Sequence, residues 1–99
     1  MSPKSPSSYR LAPGIALQVG HDEALLLNLQ KETMFSLNAT GALIVELATE
    51  GHDADAIVAT LVQRFQVDPQ EVERDVRALL TELESASLLV RRESRPTDV

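Results

Sequence analysis

The sequence predicts an α+β fold in which a three-stranded antiparallel sheet is followed by three helices. Two observations carry this prediction: short alternating apolar stretches fill the first half of the chain, and apolar stripes of helical period fill the second half. Strands grouped before helices are typical of α+β domains, in which the helices pack on one face of the sheet. Three helices beside a small sheet give a winged-helix-like shape.

One folded unit is expected over residues 9–90. A chain of 99 residues seldom divides into two cores, and an apolar share of 43% is enough to build one. Residues 1–8, rich in serine and proline, are predicted to form a disordered tail, and residues 91–99 a polar tail. Because residues 1–8 lack the apolar centre of a secretory signal and no apolar run approaches a bilayer span, we expect a cytoplasmic protein.

Three strands are predicted in the first half of this unit. Ile15, Leu17 and Val19 alternate with Ala16 and Gln18, which is the period of a half-buried strand. A turn over 20–23 leads to a second strand over 24–29, and a turn over 30–32 leads to a third strand over 33–37. Such short connections predict an antiparallel meander.

The first two helices have recognisable ends. Asn38 is a suitable N-cap for a largely apolar helix over 39–50, which Gly51 can terminate. Asp53 is the expected N-cap of the next helix. The apolar stripe of that second helix consists of Ile57, Val58, Leu61, Val62 and Phe65.

The third helix has the clearest start signal in the chain. Asp68 stands at N-cap, Pro69 at N1 and Glu71 at N3, which is a capping-box arrangement. Its apolar stripe consists of Val72, Val76, Leu79, Leu80 and Leu83. Residues 87–90 are expected to add a short extended piece after it.

The residues offer little material for catalysis. Without cysteine there is no disulfide, thiolate metal site or cysteine nucleophile, and neither His21 nor His52 has a second ligand at helical spacing. The glycines form no phosphate-binding loop. The acidic residues of the third helix are typical of a solvent-exposed helix face. The sequence therefore predicts a protein that is not an enzyme and holds no metal or cofactor.

The third strand has a feature that bears on binding. Residues 33–37 carry no charge and no proline, which are the usual means of blunting an exposed sheet edge. If this strand is an outer one, it is a template for an incoming extended peptide. The alternatives, that it lies in the centre of the sheet or beneath the third helix, are equally compatible with the pattern.

Several segments together resemble the PqqD-like family, which supplies leader-peptide recognition domains for ribosomally made, post-translationally modified peptides. The resemblance covers about residues 11–90. It is carried by LLLNL at 25–29, TMFSLN at 33–38, GALIVEL at 41–47, AIVATL at 56–61, FQVD at 65–68, VERDV at 72–76 and the leucines 79, 80 and 83.

The resemblance implies that the leader of a precursor peptide adds as a fourth strand beside the third strand, in a groove walled by the third helix. The implied pairing strand consists of Thr33, Met34, Phe35 and Ser36, and the implied wall consists of Val72, Asp75, Val76, Leu79, Leu80 and Leu83. The implied partners are a precursor leader peptide and a separate maturation enzyme.

Two branches of the family fit a stand-alone chain. One serves the leader protease and cyclase of lasso peptides, and the other presents the precursor of pyrroloquinoline quinone to a radical enzyme. Residues 27–29 and 33–38 look nearer to the lasso type, although Met34 departs from the paired aromatic residues that lasso proteins often show there.

Two other functions remain open from the sequence. A winged-helix-like shape also suits a DNA-binding regulator, but the net charge of −6 and the acidic third helix oppose contact with phosphates. An uncovered edge strand also suits a homodimer in which the strand pairs with a second copy. No nucleic acid and no membrane is expected among the partners.

Overall fold

The computed structural model describes residues 7–93, and it contains the predicted three-stranded sheet and three helices. The helices are α1 (Ala39–Thr49), α2 (Ala54–Phe65) and α3 (Pro69–Ser85). The strands are β1 (Ser7–Leu11), β2 (Ile15–Val19), β3 (Glu23–Asn28), β4 (Thr33–Asn38) and β5 (Leu89–Glu93). The predicted fold class is therefore confirmed, with two strands added to it.

The three-stranded sheet has the order β2-β3-β4 with antiparallel pairing throughout. Leu26 in the middle strand lies opposite Leu17 of β2 and Phe35 of β4, so the three side chains share the face that the helices cover. Met34 and Ser36 occupy the opposite face. Within residues 7–93, β4 has a neighbour on one side, which makes it an edge strand.

A second sheet pairs β1 with β5. The extended piece expected over residues 87–90 overlaps the start of β5, whereas β1 and the pairing were not predicted. The two strands reach Ser7 and Glu93 and so extend past the expected limits of 9 and 90. Residues 1–6 and 94–99, the rest of the two expected tails, lie outside the described residues. Strands of five residues that pair across nearly the whole chain leave no local pattern from which the pairing can be predicted.

One cluster of side chains ties the second sheet to α3. Tyr9 is buried and lies opposite Arg91 in the register. The Arg91 guanidinium carbon lies 5.9 Å from the Tyr9 ring centroid, and its Nε donates to Glu84 Oε2 at 3.2 Å. Interaction with Tyr9 and Glu84 raises the pKa of Arg91.

The helices begin largely as predicted. Asn38 Oδ1 accepts from the Gly41 N–H and Asp53 Oδ1 accepts from the Ala56 N–H, each at 2.8 Å, so both N-caps are confirmed. Asp68 holds the N-cap position of α3 ahead of Pro69, but its side chain makes no capping hydrogen bond. The expected capping box is therefore wrong in its hydrogen bonding, although the proline at N1 is as predicted.

The core lies between the three-stranded sheet and the helices. α3 contributes only part of its surface to it, because its outer side is charged. The largest side chains that are fully buried come from β3 and all three helices: Leu26, Val45, Ile57, Leu61, Val76 and Leu83. Within residues 7–93, no helix combines the length and the apolar character needed to cross a membrane.

Candidate peptide-binding site

The first hairpin determines which backbone groups of β4 are free. Gly20 donates its N–H to the carbonyl of Glu23 at 2.7 Å, which makes these two residues a hydrogen-bonded pair. Bonded pairs alternate along an antiparallel ladder, so the backbone groups of Leu26 point away from β2 and towards β4. Leu26 is therefore bonded to Phe35, whereas the backbone groups of Met34 and Ser36 point away from β3. The edge therefore offers two N–H groups and two carbonyls, spaced as an incoming strand requires.

A groove runs between this edge and α3. Its central part is a cavity of about 440 Å³, bounded by Phe35, Ser36 and Leu37 on β4 and by Asp75 and Leu79 on α3. The cavity is open to solvent along the edge strand. This cavity continues into a further cavity at each end of β4. We call the three cavities together the β4–α3 groove.

The groove continues past the end of β4 into a largely apolar cavity of about 220 Å³, where α1, α2 and α3 meet. Thr40, Ile44 and Asp75 line both cavities, so the two are continuous. The remaining lining residues of the apolar cavity are Leu61, Phe65, Val67, Glu71, Val72 and Val76. At the opposite end, a cavity of about 230 Å³ lies beside the start of β4 and is bordered by Lys31, Ala86 and Leu88, among others.

Most of the pairing strand implied by the resemblance is accessible. Thr33 and Ser36 are exposed, Met34 has 67% of its surface exposed, and Phe35 is half-buried against the core. Met34 projects from the outer face of the sheet beside Leu27, where the two residues help to line a shallow cavity of about 300 Å³. Phe35 projects from the other face into the groove.

The implied wall divides into two sets. Val72 and Leu79 are half-buried and Asp75 is exposed, so their surfaces face the groove. Leu80 and Leu83 are 2% and 0% exposed and line none of the cavities described above. Val76, also fully buried, forms part of the floor of the apolar cavity.

The part of the groove formed by α1 and α2 was not predicted from the sequence. Thr40 and Ile44 line the groove from the start of α1. In the sequence, residues at these positions indicate a helix start and a helix core, and not a binding surface. Phe65 was assigned to the core stripe of α2, yet half of its surface is exposed. An aromatic residue followed by the exposed Val67 at a helix end is a signal that could have indicated a binding surface.

The acidic residues around α3 differ in their partners. Arg77 bridges two of them, with Nη2 2.9 Å from Asp55 Oδ1 and Nε 3.0 Å from Glu73 Oε2. Glu71 and Asp75, which line the groove, form no side-chain hydrogen bond or ion pair with any residue in 7–93. Within the same range, no group of three or more His, Asp or Glu side chains is arranged to hold a metal ion.

Comparison with solved structures finds this architecture in two proteins bound to peptides. One is described as "TbiB1 in Complex with the TbiA(beta) Leader Peptide"; its TM-score is 0.74 and its identity 35%, over 81% of this chain and 93% of that one. Another is described as "Lasso peptide synthetase B1 complexed with the leader peptide"; its TM-score is 0.78 and its identity 29%, over 84% of this chain and 98% of that one. No curated protein matches the chain.

The family comparison covers both the edge strand and the helical wall. The family described as Coenzyme PQQ synthesis protein D (PqqD) matches residues 23–89, which include all of β3, β4 and the three helices. The resemblance inferred from the sequence is thereby confirmed. The chain belongs to the PqqD family.

Proposed function

We propose that this protein is a non-catalytic adaptor that captures the leader of a ribosomally made precursor peptide by strand addition to β4. The observation that carries the proposal is the free edge of β4, where the backbone groups of Met34 and Ser36 point into open space beside a groove. Support also comes from the two similar structures, both of which are leader-peptide complexes.

We infer the contact residues from the geometry of the groove. Within Thr33–Ser36, the backbone groups of Met34 and Ser36 supply the hydrogen bonds, which are common to all peptide sequences. Side chains of the bound peptide alternate between the groove, where they meet Phe35 and Leu79, and the outer face, where they meet Met34. Val72 and Asp75 complete the exposed wall, while Val76, Leu80 and Leu83 support it from the core.

The adaptor acts by tethering. Holding the leader at one end of a precursor raises the concentration of the modifiable end near a bound enzyme, to about the millimolar range for a short linker. Bond making and breaking belong to that maturation enzyme and not to this chain. We place the process in the cytoplasm, where the precursor is synthesised.

Of the two branches of the family, we propose the lasso-peptide branch. Its support is that one similar structure is a lasso peptide synthetase B1. The partner enzyme would then be a leader protease or cyclase. The pyrroloquinoline quinone branch, with a radical enzyme as the partner, is the second candidate because the matching family takes its description from that pathway.

The test is a fluorescence-polarisation titration with the TbiA(beta) leader and with leaders encoded beside this gene. The decisive variant is Ser36→Pro, which removes an N–H that points away from β3 and therefore leaves the β3–β4 ladder bonded. Ser36→Ala is the matched control, because it removes the hydroxyl and keeps the N–H. Circular dichroism verifies that both variants are folded.

We expect saturable binding that survives in Ser36→Ala and is lost in Ser36→Pro. Failure of every leader to bind the folded protein would refute the adaptor proposal. Sedimentation analysis tests the competing use of the same edge: a dimer that Ser36→Pro dissociates and that no leader displaces would identify β4 as a self-association strand. A steep fall in DNA affinity with salt would instead indicate the DNA-binding alternative.

A further inference from the structure

We propose that the β4–α3 groove selects its peptide by charge, with Glu71 and Asp75 binding a Lys or Arg residue beside the Asn38 end of β4. The proposal rests on the adaptor function above and specifies the class of leader that this chain accepts. A leader of this class carries a cationic side chain next to its strand-forming segment.

The position of the two carboxylates supports this specificity. Asp75 borders both the central cavity and the apolar cavity, and Glu71 borders the apolar one. Residues four apart on a helix are neighbours, with Cβ atoms about 5–6 Å apart, so both carboxylates can approach one guanidinium or ammonium group. A long Lys or Arg stem would lie along the apolar lining of Val72 and Phe65 with its charge at the rim.

The ionic partners of the other acidic residues strengthen the argument. Glu73 and Asp55 share Arg77, and Glu84 is paired with Arg91. Glu71 and Asp75 have no such partner within residues 7–93, and Arg74, although close in sequence, pairs with neither. The negative charge on the rim of the apolar cavity is therefore not neutralised by the described part of the chain.

Helix dipoles oppose this charge and do not cancel it. The N-termini of α1 and α3 lie near the same part of the groove, and each is equivalent to about half a positive charge. The Asn38 side chain already accepts from one of the N–H groups of α1, the N–H of Gly41. Two carboxylates against about one positive charge leave a net negative potential, which favours a cation.

The other end of the groove is lined by a cation. Lys31 is the charged side chain among the residues that line the cavity beside the start of β4. A peptide that continues the antiparallel meander runs opposite to β4, so its N-terminal part lies beside Asn38 and its C-terminal part beside Thr33. The preferred cation therefore stands on the N-terminal side of the paired segment, and a cation on the C-terminal side meets Lys31.

The experiment uses whichever leader binds most tightly in the titration above. Each residue of that leader is replaced singly by Lys and by Glu, and the ratio of the two dissociation constants is measured at each position. We expect one position, on the N-terminal side of the paired segment, to favour Lys about fivefold at about 50 mM NaCl, as one partly exposed ion pair allows. Salt at about 1 M should remove most of that preference.

Protein variants assign the preference to the groove. The Glu71→Gln/Asp75→Asn variant should bring the ratio close to one, and it should weaken binding of the unsubstituted leader by no more than about fivefold, the contribution of one partly exposed ion pair. Asp75→Asn alone is compared with Glu50→Gln, which removes the same single charge from the exposed C-cap of α1, away from the groove. Glu50→Gln should leave the ratio unchanged.

The results separate this inference from the adaptor function. If a leader binds but every position tolerates Lys and Glu alike, or if the preference persists in Glu71→Gln/Asp75→Asn, charge selection by these residues is refuted while the adaptor function stands. If no leader binds, the adaptor function itself fails. A preference that disappears equally in Glu50→Gln would show a response to net charge and would also refute the assignment.

Discussion

Leu88 donates its backbone N–H to the carbonyl of Leu83 at 2.9 Å, and both side chains are buried. Together with the bond from the Ser87 N–H to the Glu84 carbonyl at 3.0 Å, this closes α3 in a Schellman motif. Ser87 adopts the left-handed conformation that the motif requires, with φ of 62°. The motif turns the chain from the wall of the groove into β5.

We predict that Ser87→Gly stabilises the protein. A left-handed L-residue costs about 1 kcal/mol that glycine avoids, and the greater freedom of glycine in the unfolded chain offsets about half of this gain. The free energy of unfolding should rise by about 0.5 kcal/mol in urea denaturation. Ser85→Gly, at the last residue of α3, is the matched control and should lower it by up to about 0.5 kcal/mol. A decrease in both variants would contradict the assigned role of Ser87.

Neighbouring leucines on α3 should separate binding from stability. Leu79→Ala removes a half-buried groove side chain, so we expect weaker leader binding with a loss of stability near 1 kcal/mol. Leu80→Ala leaves a cavity in the core and should cost about 2–5 kcal/mol of stability. Titration and urea denaturation of both variants check this division. Equal effects of the two changes on stability would place Leu79 in the core as well.

The limits of the folded unit can be tested by truncation. A chain covering residues 7–93 keeps the whole β1–β5 ladder, whereas one covering 9–90 loses Arg91 and its contacts with Tyr9 and Glu84. We expect the shorter chain to be less stable by about 1–2 kcal/mol, the sum of a few cross-strand contacts and one cation–π contact. Identical thermal unfolding of the two chains would show that residues 9–90 suffice.

Arg77 should contribute to stability in a salt-dependent way. It connects α2 to α3 through Asp55 and pairs with Glu73 on its own helix, with half of its side chain exposed. Exposed pairs are weak, so Arg77→Ala should lower the free energy of unfolding by about 0.5–1 kcal/mol at low salt. At about 1 M NaCl the difference should shrink because the charges are screened. A difference that salt does not change would point to packing of the arginine stem.

The sequence predicted those parts of the fold that local signals specify. Alternation identified β2, the turns on either side identified β3 and β4, and the caps Asn38 and Asp53 marked the starts of α1 and α2 within a residue. The β1–β5 sheet depends on a pairing between Tyr9 and Arg91, 82 positions apart, and no local period encodes that distance. The capping box failed because a residue pattern specifies which groups stand close in sequence and not which rotamers they adopt.

The candidate site was predicted in its elements and less well in its details. The edge strand and the facing helix followed from the family resemblance, and the structure places Asp75 and Leu79 across the groove from Ser36. A helical stripe cannot separate Leu79 from Leu80, since both lie on the apolar side and only packing decides which one the core covers. The share of the groove formed by Ile44 and Phe65 arises where three helices meet, which a linear pattern does not reveal.

The buried and the accessible residues of α3 have separate roles, and this has a consequence for how such adaptors diversify. The buried Val76, Leu80 and Leu83 hold the helix in place, while Asp75 and Leu79 border the groove from its accessible side. Selection can therefore exchange the accessible pair at little cost to the scaffold, because a change at exposed Asp75 should alter stability by less than about 0.5 kcal/mol and one at half-buried Leu79 by about 1 kcal/mol. A duplicated gene could acquire a new cargo through one or two codon changes while its product folds as before.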